Sequence, residues 1–99
     1  MKKVSINGTE YKVAYNLRSL FIYEEIAGHP YKGDKTIDCY MLLFSMIQAN
    51  NKEFSMTFDE FIDACDKDLN IFQAFAEVME EEGKRVSAYM EHKKKAVTQ

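Results

Sequence analysis

Two stretches of this chain hold residues whose types and spacing approach those of binding loops. Gly28-His29-Pro30-Tyr31-Lys32-Gly33-Asp34-Lys35-Thr36 nearly spells a phosphate-binding loop. Asp34 stands where a lysine should follow the second glycine, and its charge repels phosphate. The residues before it have helical periodicity, whereas such a loop is fed by a strand, so the bland reading is a helix–helix connection. Asp66-Lys67-Asp68-Leu69-Asn70, with Glu77 at the twelfth position, approaches a calcium loop. Its sixth position is Ile71, where the sharp turn needs glycine, and its eighth is Gln73 rather than an aliphatic residue. Ile71 to Glu82 is periodic as a helix, which carries Glu77 away from the acids. Asp66 and Asp68 are then acids that favour the positive end of a helix dipole.

The remaining reactive side chains are scattered. His29 and His92 have no cysteine or histidine at metal spacing. Ser5, Ser19, Ser45, Ser55 and Ser87 lack the context of a nucleophile elbow. Neighbouring acids such as Glu24 and Glu25 point to different azimuths, so no paired-carboxylate geometry follows. Cys39 and Cys65 sit inside apolar helical patterns and read as small buried hydrophobes rather than a disulfide framework. No catalytic residue, metal ligand or cofactor is expected, and the chain is read as a non-enzyme. The basic run His92-Lys93-Lys94-Lys95 reads as a solvated end that complements a helix C-terminus. A net charge of −3 argues against a general nucleic-acid binder.

The elements that would position these residues follow from pattern. Thr36 to Asn50 is apolar on nearly every side, with only Ser45 polar between Tyr40 and Ile47. Ile37, Tyr40, Met41, Phe44 and Ile47 share one face, and Leu42, Leu43 and Met46 widen it. This stretch is shorter than the roughly 20 residues needed to span a bilayer, so it predicts a central core helix over 37–49. Lys2 to Tyr15 predicts a β-hairpin, because Asn7-Gly8 suits a type I′ turn. A two-residue turn pairs Ile6 with Thr9 and Val4 with Tyr11, putting Val4, Ile6, Tyr11 and Val13 on one face. Asn16 is an N-cap for a first helix, Leu17 to Ala27, closed by Gly28. Leu17, Leu20, Phe21 and Ile26 are expected to face inward, with Tyr23 and Ala27 at the border. Thr36 or Asp34 is expected to cap the central helix.

Thr57-Phe58-Asp59-Glu60 matches a capping box, with Phe58, Phe61, Ile62 and Cys65 on one face of the helix that follows. The last helix is expected from Leu69 to about Lys93, along a stripe of Leu69, Phe72, Ala76, Met79, Gly83, Val86 and Met90. Glu80 with Lys84 and Glu81 with Arg85 are i,i+4 pairs, each worth roughly 0.3 kcal/mol. Gly83 costs a helix about 1 kcal/mol and is an alternative end. The fold expected is mainly α within α+β: one domain of residues 1–99, with the hairpin at 2–15, about four helices in 16–95 and a frayed tail at 96–99. Met1-Lys2-Lys3-Val4-Ser5 lacks an apolar leader, and with no membrane span the expected setting is cytoplasmic.

The order of parts resembles tail assembly chaperones of long-tailed bacteriophages and prophages. The resembling stretches are INGTEYKV at 6–13, LRSLFIYEEIAG at 17–28, the apolar helix at 37–49 and MTFDEFIDACDKDLNIFQAFAEVMEE at 56–81. The resemblance implies a small, mainly helical protein that keeps the helical tape measure protein soluble while tail tube subunits polymerise around it, and that self-associates. It also implies a form lengthened by ribosomal frameshift, for which Lys93-Lys94-Lys95 would be encoded by a slippery A-rich heptamer. Such a protein needs an apolar groove for an amphipathic helix, and the candidate contact residues are Tyr23, Phe54, Met56, Phe58 and Tyr89. The bland reading, for Phe58 above all, is core packing. The hairpin edge is a second candidate contact, by strand addition between subunits. The reading from a different class is a small nucleic-acid-binding or regulatory protein of a mobile element.

Overall fold

The computed structural model describes the backbone from Lys2 to Val97 and side-chain surroundings from Lys2 to Lys84. The chain forms an N-terminal antiparallel hairpin followed by four helices, an α+β fold. Strands β1 (Lys2–Ile6) and β2 (Thr9–Val13) pair in the register expected, with Val4 opposite Tyr11 and Ile6 opposite Thr9. Asn7 and Gly8 have φ of 52° and 84°, the left-handed pair that a type I′ turn requires. Val4, Ile6 and Val13 are buried and Tyr11 is half-buried, so the apolar face of the hairpin lies on the helices. A two-stranded sheet is marginal alone; here the helices supply the covering layer.

Helix α1 (Leu17–Ala27) opens where the Asn16 side chain accepts the Ser19 N–H at 2.9 Å. It closes at Gly28, whose φ of 80° allows its N–H to reach the Glu24 carbonyl at 2.9 Å. Helix α2 (Thr36–Asn50) extends one residue beyond the expected 37–49 at each end. Leu42 to Ile47 are six consecutive buried residues, so this stretch of α2 is enclosed on every side and forms the centre of the core. Neither Thr36 nor Asp34 caps it. The N-cap is Lys35, without a side-chain bond, and the buried Asp38 supplies the negative charge in the first turn.

Helix α3 (Phe58–Lys67) begins with the capping box in full. Thr57 Oγ1 accepts the Glu60 N–H at 3.1 Å, and Glu60 Oε1 accepts the Thr57 N–H at 2.9 Å. The Thr57 N–H first, and then the Thr57 hydroxyl, hold the Glu60 carboxyl below its ordinary range. Asp68 Oδ1 accepts the Asn70 N–H at 3.0 Å and starts α4 (Asn70–Val97), one residue later than expected. Helix α4 runs unbroken through Gly83 and past Lys93 to Val97.

Two helix faces differ from expectation. On α1 the buried residues are Ser19 and Tyr23, while Leu17, Phe21 and Ile26 are exposed at 68%, 59% and 44%. Ser19 can be buried because its hydroxyl has the Ala14 carbonyl at 3.2 Å and Asn16 Oδ1 at 2.8 Å. On α4 the buried stripe is Ile71, Ala74, Phe75 and Val78, one residue out of phase with the expected one, and Leu69 is 77% exposed. Two apolar stripes lie side by side there. The hairpin packs on the first, and the Lys2 ammonium meets the Glu77 carboxylate at 2.7 Å. Phe72 and Met79 of the second stripe are left half-buried, and Phe72 stacks on Tyr40 with ring centroids 4.4 Å apart. Ile37 also departs from the expected core face, at 53% exposure, because it precedes the enclosed part of α2. Val86 and Met90 of the expected stripe, and the Glu81–Arg85 pair, involve side chains outside the described residues; the Glu80–Lys84 pair is present at 3.6 Å.

Asn50 and Asn51, at the C-terminal end of α2, join it to the rest of the fold. Asn51 Nδ2 donates to the Lys12 and Ile47 carbonyls, both at 2.8 Å, and Asn51 Oδ1 accepts the Lys12 N–H at 3.0 Å. Its amide therefore pairs with β2 as a neighbouring strand would. Asn50 Nδ2 reaches the Ala14 carbonyl at 3.0 Å and the Met46 carbonyl at 2.7 Å.

Candidate functional site: an apolar groove with an acidic margin

Where the start of α2 meets α3 and the joint before α4, an open groove of about 460 Å³ remains. Its walls are Ile37 and Tyr40 from α2, Phe58, Ile62 and Cys65 from α3, and Leu69 from the joint. The local reasons are clear from the sequence. The capping box fixes the first turn of α3, and period 3.6 then places Phe58, Ile62 and Cys65 along one line. Asp68 turns the chain into α4 and leaves Leu69 outside it. Thr36, Asp59 and Asp66 form the polar margin.

The chemistry of the groove is apolar recognition. The Cys65 thiol is pushed up to about 11, by burial first and then by Asp66 and Asp68, so it stays protonated and un-nucleophilic at neutral pH. Burial, Cys65 and Asp66 raise the Tyr40 phenol. Both cysteines are free thiols, Cys65 buried and Cys39 half-buried.

The sequence candidates fall in different places. Phe58 lies on the groove wall, half-buried as its bland reading required, and Met56 is half-buried just before α3. Phe54 is 7% exposed and belongs to an aromatic cluster, 5.4 Å from Phe44, which in turn packs 5.5 Å from Phe58. Tyr23, expected at a border, is fully buried, with its ring edge-on to His29 at 5.7 Å and Tyr31 at 5.4 Å. Tyr23 and Phe54 thus serve the core, and the Tyr89 side chain lies outside the described residues. Ile37, Tyr40, Ile62, Cys65 and Leu69 are the apolar groove residues that sequence reasoning missed as contacts. The signal was available for Leu69: an isolated leucine in an acidic joint between two capped helices.

Neither loop motif has the local geometry of the binding loop that its sequence approaches. Helix α1 leads into 28–36, and the pocket there is lined by His29, Lys32, Asp34, Lys35 and Asp38 as well as Pro30. His29 Nε2 lies 3.9 Å from the Asp38 carboxylate, too far for a hydrogen bond. In 66–77, Ile71 is buried and Glu77 faces Lys2 from within α4. Among the described residues no group of three or more histidine, cysteine or acidic side chains is placed to hold a metal, and no helix is long and apolar enough to cross a membrane. No family model, curated protein or solved structure matches the chain.

Proposed function

We propose that this protein is a tail assembly chaperone of a phage or prophage, which binds the tape measure protein through the groove and keeps it soluble in the bacterial cytoplasm without catalysis. The observation that carries this reading is the groove itself, whose rim residues Ile37 and Leu69 are 53% and 77% exposed in a folded domain. Apolar side chains gathered in a concave site and left in water mark a binding surface, and the helix-in-groove mode suits a long helical partner. Leu17 and Phe21 add a second exposed apolar pair on α1, available to tail tube subunits or to another copy. The acidic margin works against a polyanion in the same place, which disfavours the nucleic-acid alternative.

The test is co-expression with a tape measure protein of a long-tailed phage or prophage. The wild-type chain should hold that protein in the soluble fraction and co-purify with it. The double variant Ile37→Asp/Leu69→Asp, changed only at exposed positions, should fold with an unchanged circular dichroism spectrum and lose both effects. Retention of both by the folded variant refutes the groove as the chaperone surface.

A further inference from the structure

The groove carries more information than its apolar walls. Asp59 and Asp66 both line it, seven residues apart on α3. Two helical turns separate them, about 10.5 Å along the axis, and they share nearly the same azimuth. Asp63, exposed on the same helix, follows at i+4 from Asp59 and continues this acidic flank. Among the described residues no lysine, arginine or histidine lines the groove; Lys35 and Lys67 adjoin it in sequence without lining it. The field of the flank reaches the floor, since Asp66 contributes to raising both the Tyr40 phenol and the Cys65 thiol.

We infer that the groove selects an amphipathic helix whose apolar stripe is edged on one side by lysine or arginine at i and i+7, running along α3 so that these cations face Asp59 and Asp66. This rests on the groove reading above and specifies the partner's chemistry. The apolar stripe supplies the burial, and the charge pairs fix which helices are accepted and in which rotation. An acidic-edged helix of equal hydrophobicity meets two like charges and is rejected.

Two labelled 21-residue helical peptides with one leucine stripe, one edged by lysine at i and i+7 and one by glutamate, test the inference against the full-length chain by fluorescence anisotropy. The lysine peptide should bind about tenfold more tightly at low salt, and the gap should narrow at high salt. Asp59→Asn/Asp66→Asn should close the gap, Asp59→Lys/Asp66→Lys should invert the preference, and Ile62→Asp should weaken both peptides, with melting curves confirming that each variant folds. Equal binding of the two peptides overturns the charge inference and leaves the apolar groove standing. Binding of neither overturns the groove as a helix receptor. Should Ile62→Asp convert an oligomer to monomer in sedimentation, the occupant is a second copy of this chain, and the inference is overturned.

Discussion

Asn51 satisfies both outward backbone groups of Lys12 and the carbonyl of Ile47 from a position 6% exposed. Replacing it with alanine strands those groups, each at a cost of about 1–3 kcal/mol, so Asn51→Ala should destabilise the fold by roughly 3 kcal/mol in urea unfolding. That corresponds to a fall in Tm on the order of 10 °C or more. Tyr23 is the opposite case. Its hydroxyl is buried without a hydrogen bond of normal geometry, although the Asp38 carboxylate is near enough to help raise its pKa. Burial, then Asp38, pushes the phenol up to about 12 from an ordinary 10. A raised pKa stabilises the fold below the unfolded-state value and loses that contribution as pH climbs through the folded one. The wild type should therefore weaken between pH 10 and 12, and Tyr23→Phe should flatten that fall while keeping stability at pH 7 within about 1 kcal/mol. Urea midpoints across the alkaline range read both effects.

At the scale of elements, what could be read in advance was what neighbours in sequence decide. Asn7-Gly8 set the hairpin register because two residues alone must take positive φ. Thr57 and Glu60 announced α3 because the capping box closes within one turn. Thr57→Ala should cost about 1 kcal/mol. Glu60 has a depressed pKa, so its contribution is present above the unfolded carboxyl value and is lost as pH falls through the folded one. The stability gap between wild type and Glu60→Ala should thus shrink from pH 6 to pH 3. The inner faces of α1 and α4 were not legible in the same way. Leu17, Phe21 and Ile26 are as apolar as any core residue, and nothing local says that Ser19 will find the Ala14 carbonyl or that Tyr23 will close on Tyr31. On α4 two stripes one residue apart compete, and the choice belongs to the hairpin that lands on one of them. The Asn51–Lys12 clasp spans 39 positions and leaves no trace in either segment alone.

For the whole molecule, the orientation of α1 that buries Ser19 and Tyr23 leaves an apolar face on the surface. Leu17 and Phe21 stand in water, so Leu17→Glu/Phe21→Glu should leave the thermal midpoint nearly unchanged, since surface substitutions fall within about ±0.5 kcal/mol. Leu42→Ala, at a fully buried site, should cost roughly 2–5 kcal/mol. A loss of several kcal/mol in the surface variant would mean that this face is covered in solution. Within the groove, Phe58 was legible as a wall residue from its helical spacing. Ile37 was not, and Leu69 showed only as a lone leucine in an acidic joint, because the packing of α2 against the joint is what brings the two into one groove.

The side-chain amide on β2 also limits how such molecules can join sheet to sheet. In the register seen here the outward backbone groups of β2 belong to Glu10 and Lys12, and those of Lys12 are already taken. The outward groups of β1, at Lys3 and Ser5, belong to exposed residues. Among the described residues, β1 is therefore the more open edge. Two hairpins meeting through β1 would leave outward only β2 edges already clasped at Lys12, which disfavours growth of the pair into a fibre.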